Sequence, residues 1–324
     1  MRRRVLIWLA CGFAALAVAA PAQAAFPGAP GQIAYSHVRI NEDDDTGGLF
    51  VHGPHKKDAP RRLTTNVVDS NPSYSANGRL IVFSGNRDAG EPKGSHIYLV
   101  KNDGSGLRQL TSGDFNDSNP SFSPNGKLVV FDRGGLSGRA THIFSVALDG
   151  SGLKQIGDNA GNDSDPVFTP DGKRIVFVSN RQSSGRSDRS NILSMRPDGS
   201  QVRILVGGPR NELDPDVSPN GRMIAFSSNR SHGPNLFVAR LSGKGLRQLT
   251  TSRRDCFSGA CYTNPSWAPD GKHIAFLSTG RYNSDVEVMR ADGRGFAKEF
   301  ANGGTETEGF GSRTGAPAWG PRPR

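Results

Sequence analysis

The chain has 324 residues, 22% of them charged and 35% hydrophobic, with 41 glycines, 21 prolines and a formal net charge of +10. No helical periodicity appears after residue 25 and no segment there is apolar enough to span a bilayer, which excludes a helical bundle and a multi-pass membrane protein. The arginines are scattered among loops without an aromatic platform beside them. The excess charge therefore points to anionic surface polymers or partners, or to solubility alone, and not to nucleic acid.

Residues 1–25 read as a secretory signal peptide. Met1-Arg2-Arg3-Arg4 is a basic start, residues 5–20 are apolar, and Ala22-Gln23-Ala24 is a small-x-small cleavage site. The alternative is an uncleaved anchor helix, for which the apolar stretch is barely long enough. The paired arginines leave a folded-export route open. The expected location is extracellular or periplasmic, in the cell envelope.

Residues 26–320 are expected to form one domain. Residues 26–68 hold an incomplete first repeat, interrupted by the acidic run Asn41-Glu42-Asp43-Asp44-Asp45. That run lacks the spacing of a helix-loop-helix Ca²⁺ site and reads as a solvated loop. From residue 69 onward one pattern recurs. Asn71-Pro72-Ser73-Tyr74-Ser75-Ala76-Asn77-Gly78-Arg79-Leu80-Ile81-Val82-Phe83 is repeated with small changes, and its leading prolines stand at 72, 120, 166, 215, 265 and 317. Their spacing of 46 to 52 residues is the period of a propeller, solenoid or array.

Each repeat predicts four antiparallel strands. Pro-x-aromatic-Ser is the first, and a Pro-Asn-Gly or Pro-Asp-Gly turn leads to an apolar second strand such as Ile175-Val176-Phe177-Val178. The third is exemplified by His96-Ile97-Tyr98-Leu99-Val100. It ends in Asp103-Gly104-Ser105, and Leu107-Arg108-Gln109-Leu110-Thr111 closes the unit. A sheet this small is apolar on both faces and has to be covered by its neighbours. Packing around an axis achieves that and leaves short, protected edges. The chain ends are complementary. Gly31-Gln32-Ile33-Ala34-Tyr35-Ser36 matches a second strand without its first, and Ala316-Pro317-Ala318-Trp319-Gly320 matches a first strand without its second. The expected fold is all-β: a six-bladed β-propeller of four-stranded antiparallel blades, closed by the N- and C-terminal strands in one blade, with Trp319 beside Ile33. Residues 321–324 are expected to be a frayed tail.

Candidate functional residues follow from position in the repeat. Asn71, Asn119, Asp165, Asp214 and Asn264 precede the prolines, with Ala316 as the sixth. On an innermost strand they would crowd one mouth of the central channel, where they could hold Ca²⁺ or a basic peptide end. The alternative is local turn capping. Asp69, Asp117, Asp163 and Glu212 stand three residues before the prolines and read as structural carboxylates bonded to an adjacent blade's backbone. Arg87, Arg133, Arg181, Arg230 and Arg281 follow the second strands and form a basic rim, which is either an anion-binding ring or a set of surface pairs with neighbouring Asp residues.

Cys256 and Cys261, left as a pair once the signal is removed, suggest a disulfide across a long loop. Free thiols are the alternative. No His or second Cys pair nearby completes a metal site, and the histidines do not cluster at ligand spacing.

The pattern Asp-x-x-Pro-x-aromatic-Ser-Pro-Asn/Asp-Gly-Lys/Arg-x-Ile-Val/Ala-Phe, followed by Ile-Tyr-x-Val and Asp-Gly, resembles the WD40-like β-propeller repeat of the TolB family. It covers residues 30–320. It is also similar to part of the propeller of dipeptidyl peptidase IV-type enzymes, but no Gly-x-Ser-x-Gly elbow is present. The resemblance implies a propeller that presents a rim or channel mouth to an envelope protein or peptide. The stretch between Ala25 and the first blade is too short for the α/β domain that precedes the TolB propeller. The expected function is an exported, monomeric binding and scaffolding module without an obligate cofactor. The rivals are a metal-dependent propeller hydrolase or lyase with its site at the channel mouth, and a binder of anionic cell-wall polymer.

Overall fold

A computed structural model describes residues 27–39, 46–53, 58–87, 94–136, 140–181, 189–208, 210–231, 233–252, 260–280, 284–295, 297–300 and 312–323. The expected signal segment 1–25, the acidic run 41–45, Cys256 and Arg281 lie outside these residues.

The described residues form six antiparallel sheets and no helix. Blade 1 takes β1 (Pro30–Arg39), β2 (Thr46–His52) and β3 (Arg61–Arg62) from the N-terminal end. Blade 2 is β4 (Ser70–Tyr74), β5 (Leu80–Gly85), β6 (His96–Lys101) and β7 (Arg108–Gln109). Blade 3 is β8 (Phe115–Phe122), β9 (Leu128–Gly135), β10 (His142–Ala147) and β11 (Lys154–Gln155). Blade 4 is β12 (Asp163–Phe168), β13 (Ile175–Ser179), β14 (Asn191–Met195) and β15 (Arg203–Val206). Blade 5 is β16 (Glu212–Val217), β17 (Met223–Ser231), β18 (Gly233–Arg240) and β19 (Arg247–Gln248). Blade 6 is β20 (Cys261–Trp267), β21 (His273–Thr279), β22 (Ser284–Arg290) and β23 (Ala297–Phe300). The C-terminal β24 (Ser312–Thr314) and β25 (Ala318–Pro321) both pair with β1.

Closure occurs where the complementary chain ends predict it. Ile33 lies opposite Trp319 and Ala34 opposite Ala318. Arg322 continues the latch, its backbone N–H donating to Ala29 O at 3.2 Å and its Nε to Pro30 O at 3.2 Å. Six hydrophobic cores occupy the six blade junctions, each built from two neighbouring sheets. The last junction joins Ala275, Val286 and Val288 of blade 6 to Ile33 and Tyr35 of blade 1. Phe83, Phe131, Phe177, Phe226 and Phe276, at one position of the repeat, are fully buried in this ring. Removing one such side chain from water is worth roughly 1.5–3 kcal/mol.

The first hairpin of each repeat is set by its turn residues. Asn77 Oδ1 accepts from Arg79 N at 3.0 Å and Ser75 Oγ at 2.9 Å, and Gly78 adopts φ 68°. Asn125, Asp171 and Asn220 make the same bonds in blades 3 to 5. Because the strands alternate direction, the first and third connections of blades 2 to 6 lie at one end of the propeller, the turn end, and the second connections at the other. The starts of the innermost strands lie there too.

Candidate functional site: an acidic channel mouth

The innermost strands carry a bulge where each proline stands. Pairing shifts between Ser70 and Ser73, Ser118 and Ser121, Ser164 and Val167, Leu213 and Asp216, and Thr263 and Ser266. At every bulge the residue before proline is left-handed: Asn71 at φ 52°, Asn119, Asp165 and Asn264 at 50°, and Asp214 at 51°. Asn and Asp tolerate that conformation better than other residues with a Cβ. A local backbone reason for the residue type is therefore present. The same geometry aims these residues at the axis, where with their prolines and Ala316 they line a channel mouth of about 160 Å³.

The side chains at the mouth form a blade-to-blade relay. Asn71 Nδ2 donates to Asn119 Oδ1. Asn119 Nδ2 donates to Asp132 Oδ1 at 2.9 Å, and Asp165 N donates to the same oxygen at 3.2 Å. Ser227 Oγ donates to Asp214 Oδ2 at 2.5 Å, and Asn264 N approaches that oxygen at 3.3 Å. Asp132 was not among the residues singled out by the repeat. It interrupts the apolar run of β9, where sister blades have Ser84, Val178, Ser227 and Leu277. A lone carboxylate in an apolar strand was the available signal. Asp216, one step deeper on β16, is the second addition. Trp267 N donates to its Oδ2 at 2.6 Å, and it borders both the mouth and a further cavity of about 80 Å³ toward the turn end.

Four carboxylates thus crowd one side of the axis, on blades 3 to 5, while Asn71, Asn264 and Ala316 on the other side are neutral. Burial pushes Asp132 up to about 7, against the hydrogen bonds from Asn119 and Asp165. Burial likewise pushes Asp216 up to about 7. Asp165 is held well above the usual carboxylate range, first by burial and then by the charges of Asp214 and Asp132. A cation entering the mouth removes that mutual repulsion. Among the described residues no group of three or more His, Cys, Asp or Glu side chains is arranged to hold a metal ion.

The basic rim is compensated from within. Arg133 grips Asp117 with two bonds, Nε–Oδ1 at 2.6 Å and Nη2–Oδ2 at 2.7 Å. Arg230 Nη2 donates to Glu212 Oε1 at 2.5 Å, Arg87 pairs with Asp69, and Arg181 pairs with Asp163 and, at 2.8 Å, with Asp158. Each of the four guanidiniums also lies over the buried Phe of its own blade: Phe83, Phe131, Phe177 or Phe226. The acidic positions therefore serve as partners to arginines of their own blade. Their contact with the adjacent blade's backbone runs through the main chain, as in Asp117 N to Ser95 O at 2.8 Å and Asp163 N to Thr141 O at 2.8 Å. Cys261 is buried at the start of β20. Among the described residues no helix is long and apolar enough to cross a membrane.

These features define a six-bladed β-propeller whose axis opens, at the end away from the turns, into a lopsided acidic mouth. The chain belongs to the TolB beta propeller domain family, which matches residues 64–255 and 136–321. Among solved structures it is similar to TolB from Acinetobacter baumannii, with TM-score 0.70 and 20% identity over 90% of this chain and 67% of that one. Hydrazine synthase of Kuenenia stuttgartiensis gives TM-score 0.72 at 15% identity over 94% of this chain, which spans 49% of its length. A puromycin-hydrolyzing peptidase of Mycobacterium tuberculosis gives 0.54 at 15% identity over 83% of this chain and 46% of that one. At such identities the shared feature is the fold. No curated protein matches the sequence.

Proposed function

We propose that the protein is an exported binding and scaffolding module of the cell envelope, and that its channel mouth receives a cationic segment of a protein partner. The observation that carries this reading is the one-sided set of carboxylates around Asp165 and Asp214, which burial holds above the usual carboxylate range and which a counter-charge would favour in ionised form. A Lys or Arg side chain or a free amino terminus supplies that charge. The same end of the propeller exposes Val68, Phe115, Leu136 and Leu213, which offer apolar contact to the flanking residues of such a segment. Ca²⁺ is a smaller occupant of the same chemistry, with ring amides and carboxylates as its oxygen ligands.

The test is capture of envelope proteins by the wild-type chain and by an Asp165→Asn, Asp214→Asn variant. The expected result is a partner lost by the variant and retained by Lys127→Ala, a change at the turn end. Equal capture by all three sinks the reading. Calorimetric titration with Ca²⁺ separates the two occupants, because a metal site takes up the ion without any partner.

A further inference from the structure

The repeat provides its own control, and blade 4 departs from it at three places that converge. Arg174 begins the second strand region where sister blades have Leu80, Leu128, Met223 and His273. Gln201 occupies a left-handed position, φ 54°, where the sisters have Gly106, Gly152, Gly245 and Gly295 at φ 66–71°. Arg203 is in register with Arg61, Arg108 and Arg247, each of which clasps the next blade. Arg61 donates to Asn102 O, Arg108 to Leu148 O, and Arg247 to Asp292 O at 2.8 Å and Ala291 O at 3.0 Å. Arg203 instead donates from Nε to Ser194 Oγ of its own blade at 3.3 Å.

Arg174 meets it there. Its Nε donates to the same Ser194 Oγ at 2.9 Å, and its Nη2 to Gln201 O at 2.7 Å. Burial and the nearby charges of Arg203 and Arg196 depress the Arg174 pKa. Among the described residues none of the three arginines has an ion-pair partner. Asp198 lies within electrostatic reach of Arg196, but its Oδ1 is committed to Ser200 N at 2.9 Å and Ser200 Oγ at 2.6 Å. Two guanidiniums sharing one neutral hydroxyl, beside a non-glycine residue kept left-handed, form an arrangement that costs stability. Such an arrangement fits an oxyanion, which accepts the remaining N–H donors in forked geometry.

The surroundings extend the charge in one direction. Gly243 lies so close to Leu205 O that no Cβ would fit, which seats the Arg240–Lys244 turn of blade 5 against β15. That turn region exposes Arg222, Arg240 and Lys244, and its second hairpin holds Ser242 where blades 2, 3, 4 and 6 place Asp103, Asp149, Asp198 and Asp292. Blades 2, 3 and 6 also expose cations in the corresponding turns, Arg79 and Lys101, Lys127, and Lys272 with Arg290 and Arg294, but each has an Asp there: Asp103, Asp149, and Asp270 with Asp292. The basic stretch without a carboxylate of its own thus lies on blade 5 and continues the arginines of blade 4, a run that a linear anionic chain can follow.

We infer that Arg174, Arg203 and Arg196 form an oxyanion site at the turn end of blade 4, built for a phosphate group of an anionic polymer that runs on toward Arg240 and Lys244. The site lies at the opposite end of the propeller from the acidic mouth and stands independently of it.

Calorimetric titration of the full chain with long-chain inorganic polyphosphate tests this. Binding is expected at low salt and should weaken as salt is raised. Arg174→Leu, which restores the residue of blades 2 and 3, should weaken it about tenfold or more, the loss of one charge-assisted hydrogen bond. Arg203→Gln should act in the same direction, and Lys127→Ala on blade 3 should change affinity less than about twofold, as expected of a solvated surface charge. The melting temperature of each variant separates loss of binding from loss of fold. Equal affinity for the wild type and both arginine variants overturns the site, and so does absence of binding at low salt. Retention on phosphatidylglycerol vesicles without affinity for polyphosphate overturns the assignment to a polymer.

Discussion

Asp117 is fully buried and is matched by one guanidinium, that of Arg133, in bidentate geometry. Removing one member of such a pair leaves a charge in a low-dielectric site. Arg133→Met should therefore cost about 3–5 kcal/mol in urea unfolding. The double variant Asp117→Leu, Arg133→Met should recover most of that loss, because no uncompensated charge remains. Three buried carboxylates, two at the axis and Asp69 beside Arg87 on the rim, make a different prediction. Asp132 and Asp216 are raised to about 7 and Asp69 to about 6, in each case chiefly by burial. In the folded state they hold protons that the unfolded chain releases near pH 4. Their stabilising contribution is therefore full below about pH 4 and is lost as pH rises through 6 to 7. The melting temperature should fall between pH 5 and pH 8, and Asp132→Asn together with Asp216→Asn should flatten that slope. A melting temperature that climbs over this window contradicts the assignment.

At the scale of single elements, the hairpins are legible because each turn residue has a local reason. Asn-Gly and Asp-Gly supply the side-chain acceptor and the positive φ that the turn needs. The turn after β14 is the exception, with Gln201 at φ 54° where glycine stands elsewhere. Gln201→Gly should stabilise the protein by about 0.5–1 kcal/mol, since relief of left-handed strain outweighs the added freedom of the unfolded chain. Chemical denaturation measures it. Polyphosphate affinity should survive this change, because the acceptor for Arg174 is the main-chain carbonyl. The ion pairs of the rim were half legible. Asp69 and Arg87, Asp163 and Arg181, and Glu212 and Arg230 each stand 18 residues apart, a repeated spacing that signals a structural pair. Each residue type, taken alone, also fits a binding role.

For the whole molecule, closure depends on about a dozen C-terminal residues. Deleting residues 312–324 removes β24 and β25, leaves the edge of β1 unpaired and uncovers Ile33 and Tyr35 in the junction with blade 6. The truncated chain is expected to melt earlier and to aggregate. A synthetic peptide of residues 312–324 added in trans should restore part of the melting temperature in a concentration-dependent way. An unchanged melting temperature on truncation would show that the ring needs no latch.

The sequence by itself determined the number of blades, the strand order within each blade and the blade that closes the ring. These are written in local turn chemistry and a fixed period, and both survive without knowledge of any long-range contact. It also marked the ring of Asn and Asp, because a left-handed bulge selects those residue types one blade at a time. Only the tertiary structure decided what these groups do together. Asp132 shows along the chain only as a lone carboxylate in an apolar strand and Asp216 not at all, and both become part of an acidic mouth once three blades converge on the axis. The rim arginines read along the chain as an anion ring or as paired charges, and the fold matches Arg87, Arg133, Arg181 and Arg230 each to a carboxylate across the sheet. Arg174 and Arg203 are 29 positions apart in the sequence and share one hydroxyl in the fold. Charges act through distance in space, and the propeller sets those distances only when its sheets stand side by side.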